Sequence, residues 1–312
     1  MLEQYINGYR LLSPFTTAGA GSARWTFAEK DGQEYFLKEF LAPVYPVDSI
    51  PMPDSVRASR RAACLAYERS KSALYRAIRA ADNGNIVAIH EFFRHEAKYY
   101  ISTPRINEAA MSAAQLAALP IEKQKVLIRV LVNNMLRLEN AGIVHADLKP
   151  TNIMIKPTLN GFFSLKLIDF DGSFFVSEPP EDCEDLQGDP VYLAPEMFLA
   201  MSGSQMPLTS KIDVFATGLI IHEILTGELP TFSSEYDYAF EAALEGGEIR
   251  LGERVPDDFR EIISDMLKVN PAMRPSFSEV FTRLAGPGAA APAPKAPETY
   301  KKRAFMRPAG DL

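Results

Sequence analysis

Hydrophobic and polar residues alternate along much of the first hundred residues, and this pattern predicts β-strands. Five short apolar or alternating runs occur before residue 104, and the first three are separated by the turn-forming segments TTAGAGS and KDGQ. The runs are YRLLSPF, RWTFAE, EYFLKEF, NIVAIHEFF and KYYIST. Residues 55–81 contain neither Gly nor Pro and are rich in Ala, Arg, Leu and Glu, which predicts one long helix. We therefore expect a small sheet with one main helix.

The remainder of the chain has apolar residues at helical spacing. Residues 121–140 show this spacing clearly, and Gly142 is placed to end the helix. Further helices are predicted in the 190s and over residues 212–225, 236–244, 257–267 and 277–284. Strands followed by helices indicate an α+β protein with two lobes, a β-rich lobe over residues 8–104 and a helical lobe over residues 105–285.

Residues 286–312 differ in composition from both lobes. GPGAAAPAPKAP is typical of a disordered linker, and the basic and aromatic residues of KKRAFMRPAGDL follow it. That cluster offers a docking site for a regulatory partner, although we favour a solvated tail.

Composition narrows the class of protein. Of 312 residues 47% are hydrophobic, which is enough for a packed core, and a net charge of −7 argues against nucleic acid as the main partner. Two cysteines, Cys64 and Cys183, are too few for a disulfide framework. No secretory signal is visible at the start of the chain. The most apolar window, residues 214–225, is shorter than a membrane span. We expect a cytoplasmic protein without a membrane span.

The candidate chemistry is concentrated in two neighbouring stretches. IVHADLKPTNIMI, residues 143–155, brings a carboxylate, an ammonium and an amide together as Asp147, Lys149 and Asn152. Phosphoryl transfer needs a group that orients the attacking hydroxyl, a cation that neutralises phosphate charge and ligands for a metal. LKLIDFDGS follows and supplies Asp169 as a second metal-ligand candidate.

These stretches resemble the catalytic and metal-binding loops of the eukaryotic-type (Hanks-type) serine/threonine protein kinases. The resemblance implies a bilobal kinase fold that transfers the γ-phosphoryl of Mg-ATP to a hydroxyl of a protein substrate. It assigns substrate orientation to Asp147, a γ-phosphate contact to Lys149, and Mg²⁺ binding to Asn152 and Asp169. Lys149 with Thr151 resembles the serine/threonine class. The short connections and the tail favour a bacterial member.

The same resemblance places the nucleotide against the β-rich lobe. Gly19 and Gly21, in AGAGSA, let backbone amides approach phosphates, although a simple hairpin turn explains them as well. Lys38 is placed as the phosphate-contacting lysine. Glu68 on the long helix is its candidate partner, with a surface glutamate as the alternative.

The resemblance also places ATP in the cleft near Pro104. Thr103 and Arg105 are therefore further candidates for ATP contacts.

Four residues depart from the family pattern. Arg24 replaces a third glycine, so we expect phosphate to be gripped differently, through a side chain. Ala146 replaces the arginine that holds a phosphorylated loop, so phosphorylation of that loop is not expected to be the switch. Asp171 replaces a glycine, and we favour a turn cap over an added metal ligand. Asp189 replaces a threonine, and its pairing with Lys149 would favour a basic substrate or partly block the site.

Two other functions compete with a protein kinase. Small-molecule kinases of the aminoglycoside phosphotransferase type share the Asp-Phe-Asp triplet, and a pseudokinase scaffold would bind nucleotide without turnover. Against the first, GDPVYLAPEMF supplies Glu196, KIDVFATGLIIHEILTG supplies Asp213 and Gly218, and NPAMRP supplies Arg274 as the expected partner of Glu196. Their order and spacing favour the protein kinase.

Overall fold

The smaller lobe is built on an antiparallel sheet, as the alternating pattern predicts. The computed structural model describes residues 4–18, 23–87, 89–106, 111–158 and 163–285. The elements of this lobe are, in chain order, β1 (Tyr5–Ile6), β2 (Tyr9–Leu11), β3 (Ala23–Lys30), β4 (Gln33–Phe40), α1 (Asp54–Ala81), β5 (Glu91–His95) and β6 (Lys98–Pro104). The sheet has the order β1-β2-β3-β4-β6-β5, and its first strand lies before residue 8.

The two faces of this sheet have different surroundings because side chains alternate along each strand. Trp25 of β3 lies opposite Lys38 of β4, and Phe27 lies opposite Phe36, so these four residues share one face. The other face carries a small core of its own. That core consists of Ile6, Tyr9, Ala28, Tyr35, Leu37 and Tyr100.

The larger lobe is mainly helical, with short strands near its junction with the sheet. Its elements are α2 (Ala113–Ala117), α3 (Ile121–Asn140), β7 (Ile143–Val144), β8 (Ile153–Pro157), β9 (Phe163–Leu167), β10 (Phe174–Phe175), α4 (Pro195–Met201), α5 (Lys211–Thr226), α6 (Ala239–Leu244), α7 (Asp257–Met266) and α8 (Phe277–Ala285). The two-lobed α+β architecture is confirmed. The short helix α2 was not predicted.

Two helices organise this lobe through their burial. Helix α5 is apolar on nearly all sides and is buried along almost its whole length, which makes it the central helix. Helix α3 buries one face and, as predicted, is followed by Gly142 in the left-handed conformation, with φ of +68°.

One predicted strand forms differently from expectation. NIVAIHEFF was predicted as a single strand, but β5 begins only at Glu91. The preceding residues instead pair with β9 of the larger lobe, where Val87 N donates to Leu167 O at 2.9 Å and Leu167 N donates to Asn85 O at 2.9 Å. The apolar run therefore serves two sheets and helps to join the lobes.

Helix α1 also joins the lobes, through its second half. Leu74, Tyr75 and Ile78 are buried in the same core as α3 and β7. Arg137 of α3 donates to the carbonyl oxygen of Ala81 at the end of α1, at 2.7 Å. Contacts with the larger lobe therefore hold the second half of α1 in place.

None of the helices in the described ranges combines the length and the apolar character that a membrane crossing requires.

Candidate active site

A cleft between the lobes contains three of the predicted site residues, Lys38, Thr103 and Asp169. The sheet covers it with Trp25, Phe27 and Phe36, and Trp25 stacks on Phe36 with ring centroids 5.0 Å apart. The cleft has a volume of about 270 Å³ and opens to solvent. Its other lining residues are Val87, Ile101, Pro104, Ile106, Met154 and Ile168.

The loop between β7 and β8 is held in shape by Asp213 of α5. The Asp213 carboxylate accepts hydrogen bonds from the backbone N–H groups of His145, at 2.8 Å, and Ala146, at 3.0 Å. Ala146 has a φ of +69°, a conformation that non-glycine residues rarely adopt, so these bonds stabilise a sharp turn just before Asp147. Burial raises the pKa of Asp213 to about 7, although the two N–H groups oppose this shift.

Asp147, Lys149 and Asn152 form one hydrogen-bonded group, as their spacing predicts. Lys149 Nζ lies 2.9 Å from Asp147 Oδ2, and Asn152 Nδ2 donates to that oxygen at 3.1 Å and to the Asp147 carbonyl oxygen at 2.8 Å. The backbone N–H of Asp189 donates to Asp147 Oδ1 at 3.2 Å. The Asp189 carboxylate lies 3.7 Å from Lys149, so this pairing, raised from the sequence, is present.

Asp169 lies at a second sharp turn beside this group. Its φ is +60°, and Ile168 N donates to the carbonyl oxygen of Asn152 at 3.0 Å, which ties the two loops together. Phe170 is buried against the ring of His145, with centroids 4.8 Å apart. Burial lowers the pKa of His145, so the ring is neutral and packs as part of the core.

Lys38 reaches across from β4 to the loop that contains Asp169. Its Nζ lies 3.0 Å from Asp169 Oδ1 and 2.5 Å from Asp171 Oδ2, and only 7% of its side chain is exposed. Burial by itself lowers the pKa of this ammonium, but the Asp171 and Asp169 carboxylates outweigh burial and raise it. Lys38 is therefore charged.

The predicted pair between Lys38 and Glu68 is not formed. Glu68 instead accepts a hydrogen bond from Tyr99 at 2.8 Å and lies 3.4 Å from Arg94. The carboxylates that pair with Lys38 come from Asp169 and Asp171. Asp171 was interpreted as a turn cap, and this interpretation is also wrong because its carboxylate pairs with Lys38.

Other candidates for nucleotide contacts are placed differently. Thr103 lines the cleft, as predicted. Arg105 instead binds Glu34 through its guanidinium, at 2.9 Å, and through its backbone N–H, at 3.0 Å, and lies over the Phe27 ring. Gly19 and Gly21 lie outside the described residues.

Arg24 does not reach the cleft. It makes a two-pronged ion pair with Glu39, at 2.8 and 3.0 Å, on the opposite face of the sheet. Because β-strand side chains alternate, Arg24 and Glu39 face away from Trp25 and Lys38. The expectation that this side chain grips phosphate is therefore wrong.

A buried ion pair anchors the segment that follows the site. Arg274 bonds both carboxylate oxygens of Glu196, at 2.7 and 2.9 Å, as predicted. Its remaining N–H groups donate to the carbonyl oxygens of Lys268, Val269 and Lys211. Each of the five guanidinium N–H groups thus has its own acceptor. The pair fixes the start of α4 against α5.

Sequence reasoning missed two features of this site. Trp25 and Phe36 cover the cleft. Phe36 lies two residues before Lys38 on β4, and Trp25 lies opposite Lys38 on β3, so the alternation of side chains along the strands indicates that all three share one face. Lys71 of α1 donates to the carbonyl oxygen of Asp171 at 2.6 Å. Lys71 precedes the buried Tyr75 by one helical turn, which places both on one face of α1.

A β-rich lobe and a helical lobe that enclose this arrangement of Lys38, Asp147, Asn152 and Asp169 define the protein kinase class of fold. The Protein kinase domain family model matches residues 73–283, which is more than half of the chain. The chain belongs to the protein kinase family. The matched range begins within α1, so Lys38 and the first four strands lie outside it.

Several curated kinases are similar to this chain. It is 26% identical over 210 residues to the serine/threonine-protein kinase cds1 of Schizosaccharomyces pombe, covering 65% of this chain and 45% of that protein. It is 33% identical over 148 residues to the ovarian-specific serine/threonine-protein kinase Lok of Drosophila melanogaster, covering 46% and 30%. With the serine/threonine-protein kinase ULK3 of Mus musculus it shares 29% over 204 residues, covering 64% and 39%. The chain thus matches less than half the length of these relatives.

Proposed function

We propose that this protein transfers the γ-phosphoryl group of Mg-ATP to a serine or threonine hydroxyl of a protein substrate. The observation that carries the proposal is the pairing of Lys38 with Asp169, whose loop is joined through Ile168 N and Asn152 O to the hydrogen-bonded group of Asp147, Lys149 and Asn152. The names of the relatives support the serine/threonine class and a protein substrate. We also retain a cytoplasmic location as a prediction.

The residues present fit a magnesium ion. Among the described residues no cluster of three or more His, Cys, Asp or Glu side chains could hold a metal. Magnesium does not need such a cluster, because it is commonly bound by one or two carboxylates together with substrate phosphates and water. Asn152 directs its amide nitrogen to Asp147, which leaves its carbonyl oxygen as the donor to a metal, and Asp169 supplies a carboxylate. These two residues would hold the ion, and the ion would offset charge on the phosphates.

In this proposal the protein contributes position and charge rather than covalent chemistry. Asp147, held by Asn152 and by the Asp189 N–H, orients the substrate hydroxyl and accepts its proton late in the reaction. Lys149 neutralises charge on the phosphoryl group in transit. Lys38 contacts the phosphates from the sheet. The aromatic cover of Trp25 and Phe36 gives the nucleotide base an apolar surface and excludes water.

A nucleotide-binding scaffold without turnover is the second candidate. Asp189 lies 3.7 Å from Lys149 and competes with phosphate for that ammonium. Lys149 is also paired with Asp147, so two carboxylates share its charge. These contacts favour a site that binds nucleotide yet transfers phosphate slowly.

Intact mass and phosphosite mapping after incubation with Mg-ATP test the proposal, with and without a mixture of acceptor proteins. The wild-type chain is expected to place phosphate on serine or threonine of itself or an acceptor. Asp147→Asn is expected to lose this transfer by orders of magnitude and still bind ATP, because it removes hydroxyl orientation and leaves Lys38 and Asp169 in place.

The other outcomes separate the competing functions. ATP binding by the wild type with no transfer to any acceptor would favour the scaffold. Transfer only to small amine or sugar acceptors would favour a small-molecule kinase. Equal transfer by wild type and Asp147→Asn would remove the role assigned to Asp147.

A further inference from the structure

Asp171 provides the closest carboxylate to Lys38 in the described part of the chain. Its Oδ2 lies 2.5 Å from Lys38 Nζ, and only 18% of its side chain is exposed. Its other oxygen, Oδ1, is buried and has no hydrogen-bond partner among the described residues. An ammonium and a carboxylate removed from water at this distance form a strong, directional pair. The Asp171 carboxylate is therefore paired with Lys38.

Helix α1 offers no carboxylate to Lys38. Glu68 is bonded to Tyr99 and lies close to Arg94. The α1 side chain that reaches the loop is a cation, Lys71, whose Nζ donates to the backbone oxygen of Asp171 at 2.6 Å. Asp171 thus contacts two amino groups, Lys38 Nζ from the sheet through its carboxylate and Lys71 Nζ from the helix through its backbone oxygen.

The backbone of the loop directs Asp169 and Asp171 to the same lysine. The left-handed turn at Asp169 and the packing of Phe170 against His145 leave both carboxylates within ion-pair distance of Lys38 Nζ. Asp169 is the proposed magnesium ligand, and a carboxylate engaged with a metal holds a neighbouring ammonium less strongly. Asp171 is then the group that keeps Lys38 in position.

We propose that Asp171 is the positioning residue for Lys38 and that Lys71 fixes Asp171 against α1. Asp171 thereby takes the role that was predicted for Glu68. This inference rests on the proposed function, in which Lys38 contacts the phosphates of ATP. It accounts for the ion pair at Asp171, for the cation at position 71 and for the engagement of Glu68 elsewhere.

ATP affinity of Asp171→Asn, measured by equilibrium binding with Mg²⁺ and again with EDTA, tests the proposal. Loss of the carboxylate is expected to weaken ATP binding about tenfold in both conditions and to raise KM for ATP more than it lowers kcat. If the carboxylate acted only by repelling the phosphates, its removal would strengthen ATP binding. Loss of positioning and loss of repulsion therefore change ATP affinity in opposite directions. Glu68→Gln on α1 is the matched control, because it also removes one carboxylate, and it is expected to leave ATP affinity unchanged.

Two further measurements separate positioning from other roles. Thermal unfolding without nucleotide checks the fold of Asp171→Asn, and Asp171→Gly, which leaves no buried amide, is expected to weaken ATP binding in the same direction. The Mg²⁺ concentration for half-maximal ATP binding is expected to stay within about twofold of wild type. A large rise in that concentration, with ATP affinity in EDTA unchanged, would make Asp171 a metal ligand and overturn the proposal.

A double-mutant cycle tests the part played by Lys71. Lys71→Met is expected to weaken ATP binding less than Asp171→Asn, and the double variant is expected to be no weaker than Asp171→Asn alone, because both changes act through one contact. Additive losses would show that Lys71 acts elsewhere. Unchanged or stronger ATP binding by Asp171→Asn would overturn the inference alone, whereas no ATP binding by the wild type would overturn the proposed function as well.

Discussion

Arg24 illustrates how a single residue can depart from a family pattern without entering the site. It lies on the strand that covers the cleft, but its guanidinium pairs with Glu39 on the far face of the sheet. Glu39 is 1% exposed and also accepts a hydrogen bond from Tyr100 at 2.7 Å. Arg24 therefore balances a buried carboxylate, which is a structural task.

Arg24→Met is expected to lower stability and leave ATP affinity unchanged. The buried Glu39 carboxylate loses its cation, which costs about 1–3 kcal/mol. Chemical denaturation measures the loss. Arg10→Met is the control, because its partner Glu29 has 37% of its side chain exposed, and such surface pairs contribute about 0–1 kcal/mol. A severalfold change in ATP affinity would instead show that Arg24 contacts phosphate.

At the scale of elements, α5 supports the loop between β7 and β8. Asp213 in its first turn holds two backbone N–H groups of the loop, and burial raises its pKa to about 7. Since this pKa lies above the ordinary value for aspartate, the folded state holds a proton at pH values where the unfolded chain has released it. The contribution of Asp213 to stability is then fully present below about pH 4 and is lost as pH rises through about 7.

The direction of this pH dependence can be measured by comparison with Asp213→Asn, whose side chain does not titrate. The free energy of unfolding of the wild type, minus that of the variant, is expected to fall between about pH 4 and pH 7 and to be level above pH 8. Urea denaturation across that range gives the difference. A difference that rises with pH would mean that the two N–H groups outweigh burial and that Asp213 is ionised throughout.

An element can be predicted well when residues within its own segment determine its structure. Strands β3, β4 and β6 and helices α1, α3 and α5 were predicted because their spacing of apolar residues is strong. Residues 85–87 were assigned to the wrong sheet because an apolar run does not state which neighbour it will pair with.

The candidate site was predictable to the extent that its residues lie in one loop. Asp147, Lys149 and Asn152 are close in sequence, and the structure brings them together. The partner of Lys38 was not predictable in this way, since it depends on the left-handed turn at Asp169, after which Asp171 lies beside Lys38. The buried Leu74, Tyr75 and Ile78 do indicate that position 71 lies on the packed face of α1.

At the scale of the whole molecule, the site belongs to neither lobe alone. Lys38 comes from the sheet, Asp169 from the larger lobe, and β9 and α1 join the two through the contacts of Val87 and Ala81. A ligand that contacts both lobes binds the folded state and not the unfolded chain, so it stabilises the whole molecule.

Mg-ATP is therefore expected to raise the melting temperature of the protein. At a hundred times its Kd, a ligand adds about 2.7 kcal/mol to the free energy of unfolding. Asp147→Asn is expected to keep this shift, whereas Asp169→Ala is expected to lose the part that depends on Mg²⁺. Differential scanning fluorimetry with ATP, with and without Mg²⁺, measures both. A shift that survives in Asp169→Ala with full Mg²⁺ dependence would contradict the role of Asp169.

The buried pair of Glu196 and Arg274 also has a consequence for the order in which the protein matures on the ribosome. Asp147 and Asp169 are synthesised early, but Arg274, which anchors the segment after them, is added more than a hundred residues after Asp147. A nascent chain that ends before Arg274 contains Asp147 and Asp169 while Glu196 is a carboxylate without its cation. The start of α4 and the start of α5 can therefore be joined through this pair only after Arg274 has been synthesised.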